Sequence, residues 1–173
     1  MTVPSVNRSI SSDQTAAAFL RLVDQPDGRQ LQGVLFTVDS HGYPLGFCHA
    51  RVAVLRGVFW NAAGARLLAA GSVVQALFAE TRETPLIVLA LATETPPQLF
   101  LHDVVVTIPV GLVTPGRDET GKDAGIAWAA SLPAFSSPAA SMIQSLRTNG
   151  MLIEPFTRAL QGLAEVSSGP VHG

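Results

Sequence analysis

The chain is poor in charge and in cysteine. Only 14% of its 173 residues are charged, against about 25% in an average soluble domain. It has 11 basic and 13 acidic residues, so the net charge is -2. A domain that holds nucleic acid by electrostatics is normally basic, and the balance argues against direct nucleic-acid binding of that kind. One cysteine, Cys48, excludes an intrachain disulfide and a multi-cysteine zinc site. The longest apolar run is Leu86 to Ala92. That is far short of the roughly 18 residues a transmembrane helix needs. The first residues, MTVPSVNRSISSDQ, lack the basic start and apolar stretch of a secretory signal. A cytoplasmic location is the expectation.

What is present is apolar. Hydrophobic residues make up 47% of the chain, spread in short segments as in a folded α/β domain. Low charge with high apolar content also fits a surface covered by another chain. Residues 1–12 are small and polar and read as a flexible N-terminus. A compact domain is expected over 13–113. Residues 114–138 are a Gly/Pro/Ser-rich loop, 139–166 carry short C-terminal helices, and 167–173 form a tail.

Within the domain, Leu31 to Asp39 and Leu45 to Leu55 read as two strands of a β-hairpin, joined by Ser40-His41-Gly42-Tyr43-Pro44. Trp60 to Glu80 has helical spacing, with Asn61 as N-cap. Leu86 to Ala92 is a buried strand, and Leu99 to Val110 a further strand with His102-Asp103 as its candidate break. Ser137-Pro138 and Glu154-Pro155 open two short helices. The segment from Asp13 to Val23 reads as a helix, but Ala18 to Asp24 can equally be a strand closed by the turn Gln25-Pro26-Asp27-Gly28. The expected fold class is α/β (α+β). Its elements are a small, mostly antiparallel sheet built on a central hairpin, one long helix, and short C-terminal helices. Phe36, Phe47, Leu68 and Phe78 are expected in the core.

No catalytic set stands out. Gly116 to Asp123 matches G-x-x-x-x-G-K, but Asp123 replaces the hydroxyl that a phosphate loop uses on magnesium. Asp118 and Glu119 add negative charge there, so the segment, with Lys122, is expected to be inert. Cys48 and His49 are neighbours on a strand and face opposite sides, so they cannot share a metal. His41 and His102-Asp103 complete no ligand set. No G-x-S-x-G elbow is present. No cofactor and no metal are expected.

Two resemblances follow. The stretch Gly33 to Val38, Asp39, Gly42, Pro44 and Leu45, followed by the long Ala/Leu helix, resembles the roadblock (dynein light-chain type) and longin-like small α/β domains over residues 13–110. That resemblance implies a non-catalytic accessory or scaffold subunit that dimerises or docks on a larger protein assembly. The helix has few long polar residues, so its outer face, marked by Ala65, Ala69 and Ser72, is the expected interface. If the first segment is a strand, the order strand, strand, strand, helix, strand is similar to the ribonuclease H-like fold. That alternative implies a metal-dependent nuclease or a degenerate relative of one. Asp24, Glu80, Glu94 and Asp103 are its candidate metal-holding carboxylates.

Overall fold

A computed structural model describes residues 16–55, 57, 61–82, 84–100, 108–117, 123–129 and 131–168. The first apolar segment is a strand, β1 (Ala17–Asp24). It replaces the helix that opens a roadblock-like order. Helical periodicity has no purchase here, because Ala17 to Leu20 are all fully buried and neither face of the segment is polar. The hairpin follows as β2 (Gln30–Val38) and β3 (Pro44–Ala53). Its turn is set by Asp39, whose Oδ1 accepts from the backbone N–H of His41 and of Tyr43. Gly42 supplies the left-handed backbone there, at φ 84°.

Helix α1 (Ala62–Glu80) starts at Asn61, whose side chain accepts from the Gly64 N–H at 2.8 Å. Next come β4 (Ile87–Leu91), a 3₁₀ turn at Pro97–Phe100, and β5 (Val110–Thr114). The strand expected from Leu99 therefore starts only at Val110 among the described residues. A sixth strand, β6 (Gly125–Trp128), lies inside the segment expected to be a loop. Helices α2 (Pro138–Thr148) and α3 (Glu154–Ser168) close the chain, and Ser137 caps α2 as its sequence suggests.

The six strands form one mixed sheet in the order β3-β2-β1-β4-β5-β6. β1 pairs parallel with β4, and β4 with β5; the other three pairings are antiparallel. The fold is α/β. The hairpin sits at one side of the sheet, with β3 as the edge, and the centre is β1 and β4. Each face has its own core. Leu20, Leu22, Leu31 and Leu35 meet Val73, Val74 and Leu77 of α1 on one face. Phe19, Val34, Phe36 and Leu89 meet Met142, Leu146, Phe156 and Leu163 of α2 and α3 on the other. The C-terminal helices thus share a core with the strands.

The expected core is corrected in part. Phe36 is buried, whereas Phe78 is half-buried. Phe47 and Leu68 are exposed, at 39% and 52%. Phe47 lies on the edge strand, where its ring runs along Gly162 of α3 and beside the His49 ring. Leu68 lines an open cleft between α1 and the end of β3, beside Val52 and Ser72. By length and composition α1 could cross a membrane. Its Ala65, Ala69, Ala70, Val73, Val74 and Leu77 are instead buried in this fold.

Candidate functional site

Parallel pairing brings the C-terminal ends of β1 and β4 together. Ala17 lies opposite Ile87 and Leu20 opposite Ala90. The same offset puts Asp24 level with Glu94, which follows β4 in a tight turn closed by Glu94 and Thr95 N–H groups on Leu91 O. Two of the four expected acidic residues therefore lie at the same end of the sheet.

Each is held by an arginine. Arg21 donates through Nε and Nη2 to the two carboxylate oxygens of Glu94, at 2.7 and 2.5 Å. Its Nη1 donates to Phe156 O of α3 at 3.0 Å. Side chains alternate along a strand, so Arg21 shares the α3 face with Phe19. Asp24 shares the α1 face with Leu20 and Leu22. There Arg66 of α1 donates through Nε to both Asp24 oxygens, at 3.0 and 2.9 Å, and through Nη2 to Glu94 O at 3.1 Å. Glu94 is the joint: its carboxylate is tied on one face and its carbonyl on the other.

The other candidates are elsewhere. Glu80 ends α1 near the start of β1, beside a cleft of about 480 Å³ also lined by Ala16, Cys48, His49 and Thr81. Eight strand residues at ~3.3 Å each separate that end of the sheet from Asp24, on the order of 25 Å. Glu80 cannot join a site with Asp24 and Glu94. Asp103 lies outside the described residues, as do His102, Asp118, Glu119 and Lys122. Ala65 and Ala69 are only 3% and 4% exposed, so they belong to the inner side of α1, not its outer face. Ser72 is exposed, and its hydroxyl donates to Leu68 O.

Cys48 faces α1, with Sγ 3.5 Å from Leu77 O and 3.7 Å from Leu35 O. Burial pushes its thiol pKa up, as does the nearby Glu80 charge, against lowering contacts to Thr81 and Leu35. A thiol so placed is a weak nucleophile at neutral pH.

The chain was compared with known proteins at three levels. No family model matches, and no curated protein matches. Solved structures do. One is the crystal structure of endonuclease V from Streptomyces avermitilis. It is 10% identical, with a TM-score of 0.50 over 90% of this chain and 87% of that one. Another is endonuclease V from Bacillus subtilis, 12% identical, with a TM-score of 0.48 over 89% and 83%. At such identities the likeness is one of fold.

This corrects the expectation of a non-catalytic accessory or scaffold subunit. The Streptomyces avermitilis structure, which aligns over 90% of this chain, is an endonuclease and not a roadblock or longin-like domain.

Nucleases of the ribonuclease H-like kind hold metal ions with several converging carboxylates. The described residues do not fit that demand. No three His, Cys, Asp or Glu side chains gather among them. The two carboxylates at the shared strand end are turned to opposite faces; Glu94 takes two guanidinium N–H groups and Asp24 one, shared between its two oxygens.

The arginines are what sequence reasoning missed. Arg21 had a signal: it is the lone charge in the apolar run AAAFLRLV, and a charge inside a two-sided strand needs a partner. Which acid would answer it depends on the parallel β1–β4 pairing, which no local pattern reveals.

Proposed function

We propose that this chain is a degenerate relative of the ribonuclease H-like, metal-dependent nucleases. One observation carries the reading. The strand order places Asp24 and Glu94 at adjacent ends of the central parallel strands, and both acids are spent on arginines. A guanidinium fork matches a carboxylate bidentately. Here it occupies the oxygens a divalent ion would need. Arg21 and Arg66 clamp the end of β1 to the turn after β4, one from each face. A cytoplasmic location goes with this reading; the packing of the apolar α1 in the core supports it.

The test is a cleavage assay on single- and double-stranded DNA and RNA with Mg²⁺ or Mn²⁺, comparing the wild-type chain with Asp24→Asn and Glu94→Gln. The expected outcome is no metal-dependent cleavage that the two substitutions remove. Cleavage that requires the ion and disappears in both variants would restore an active nuclease and overturn the degenerate assignment.

A further inference from the structure

Strand β3 is an open edge: among the described residues it pairs with β2 on one side and with no strand on the other. The bond from Val54 N–H to Arg29 O, 2.7 Å, sets which of its residues face inward. It makes Arg29 and Val54 a hydrogen-bonded pair, and such pairs alternate along an antiparallel ladder. Val52, Ala50 and Cys48 therefore turn their backbone groups to β2. Ala53, Arg51, His49 and Phe47 turn theirs outward, and among the described residues nothing bonds them. Natural sheets blunt such an edge with lysine, an internal proline or a bulge. From Gly46 to Ala53 the strand has none of these; its register shift lies at the start, opposite Thr37 and Val38.

The flank of this edge is apolar. A cleft of about 430 Å³ opens between Val52, Val54 and Leu55 on one side and Ala65, Leu68 and Ser72 of α1 on the other. Along α1, Leu68 and Ser72 are followed by Gln75 and Ala79, in steps of four, three and four residues that keep to one side of a helix. All four are exposed and none is charged.

We propose that a second copy of this chain covers the edge, the two β3 strands running antiparallel about a twofold axis at His49. Both observations meet on that axis. α1 packs over β2 and β3 alike, so it stands about half a strand spacing inside β3, while the axis stands half a spacing outside. The two α1 helices then lie two spacings apart, about 10 Å, which is the distance at which helices pack. The Leu68 to Ala79 seam of each is turned to the other. A lone peptide added to the edge would satisfy β3 and leave that seam open, so the second copy is the occupant that answers both.

Charge selects the register. Arg51 is the one charged residue of β3 apart from the titratable His49. With the axis at His49, Arg51 of each copy stands opposite Phe47 of the other, an aromatic ring that suits a cation. With the axis at Ala50 it would face His49, and with the axis at Arg51 it would face itself; like charges directly opposite are destabilising. An axis at Cys48 would set it against Leu45, where the register shift interrupts the strand. The inference stands apart from the nuclease relationship, since it uses neither a metal nor the clamped carboxylates.

The experiment is sedimentation equilibrium of the full chain at micromolar concentration, which should give twice the 18.1 kDa of one chain. His49→Pro removes an outward N–H and leaves the bonds to β2 in place, as proline on an edge strand does. It should weaken association at least tenfold while circular dichroism stays native. Leu68→Lys changes an exposed side chain and should do the same; it decides the matter if the proline variant does not fold. Gln144→Lys adds the same charge at an exposed position of α2 and should remain a dimer. Residues of a hydrogen-bonded pair stand about 5.5 Å apart at Cα, within reach of a disulfide. In a Cys48→Ser background, His49→Cys should therefore link two chains on oxidation with diamide, and Arg51→Cys, two residues from the axis, should not. A monomeric wild type, or a dimer that survives both His49→Pro and Leu68→Lys, would overturn the proposal. Linking through Arg51→Cys in place of His49→Cys would overturn the register.

Discussion

The two faces of the sheet are packed by different means. On the α1 face the contact is close and built from small residues. Gly33 of β2 has no side chain, and Val73 fills the space; a Cβ there would collide with Val73 Cγ1 and stand 3.1 Å from Leu77 Cδ1. On the α3 face the spacing is set by large residues. Phe19 and Phe156 meet edge to face, with ring centroids 4.9 Å apart. Arg158 lies over the Phe36 ring at 5.2 Å, while its Nη2 donates to Gly42 O and Glu154. On the α3 face polar contacts lie over the aromatic core itself, whereas on the α1 face the polar anchor, Arg66, sits at the strand end and the middle of the contact is apolar. Small residues are what this close approach requires, which accounts for Ala65, Ala69 and Ala70 on the inner side of α1.

The largest effect should come from removing the aromatic spacer. Phe156 is 2% exposed, and Phe156→Ala should cost about 3–5 kcal/mol, since the cavity would sit between a helix and a central strand. Chemical denaturation measures this. A loss below about 1 kcal/mol would mean that α3 is not a partner in the core. Gly33→Ala tests the opposite face by adding volume. Overpacking typically costs about 1–3 kcal/mol, and a neutral or stabilised variant would show that α1 can slide away from β2.

Arg21→Gln comes next. It leaves Glu94 beside β1 without its fork, on a pair whose side chains are only 13% and 22% exposed. Hydrogen bonds to charged groups are worth about 1.5–3 kcal/mol, and a loss near the lower end is expected in urea denaturation. The companion Glu94→Gln should cost less than the sum when combined with Arg21→Gln, because the two share one interaction. Strict additivity would show that they do not act as a pair.

The legible parts of the fold were those set by local chemistry. Asn61 before Ala62, Ser137 before Pro138, and Asp39 with Gly42 at the hairpin each satisfy backbone groups within a few residues, so the sequence pattern alone locates them. The strand β1 was ambiguous because its burial is two-sided, and an apolar run of that length has no period to choose helix or strand. β6 was missed because Gly125 to Trp128 is short and set among turn-forming residues. The site was legible only in part. Asp24 and Glu94 share one end of the sheet, on opposite faces, but Glu80, which also ends a regular element, lies at the far end. Strand direction decides that, and strand direction is a property of the tertiary pairing. The same holds for Ala65 and Ala69. Their small size marks close packing, and only the position of the sheet tells that the packing is internal.

The smallest effect separates the two arginine clamps. Arg66 shares one Nε–H between the two Asp24 oxygens, where Arg21 gives Glu94 two N–H groups, and the Arg66 and Asp24 side chains are 29% and 50% exposed. Water screens such a pair, and exposed ion pairs contribute about 0.2–1 kcal/mol. Arg66→Gln should therefore lower stability by less than Arg21→Gln, by no more than about 1 kcal/mol. The loss should also shrink with added salt, since an exposed pair is screened within about 10 Å at 0.1 M. The Arg21 effect should hold better under the same conditions, because its charges are less accessible. Denaturation of the two single variants at low and at 1 M salt reads this directly. Equal losses with equal salt dependence would mean that the two faces hold the strand end alike, and that the burial difference between the clamps has no energetic consequence.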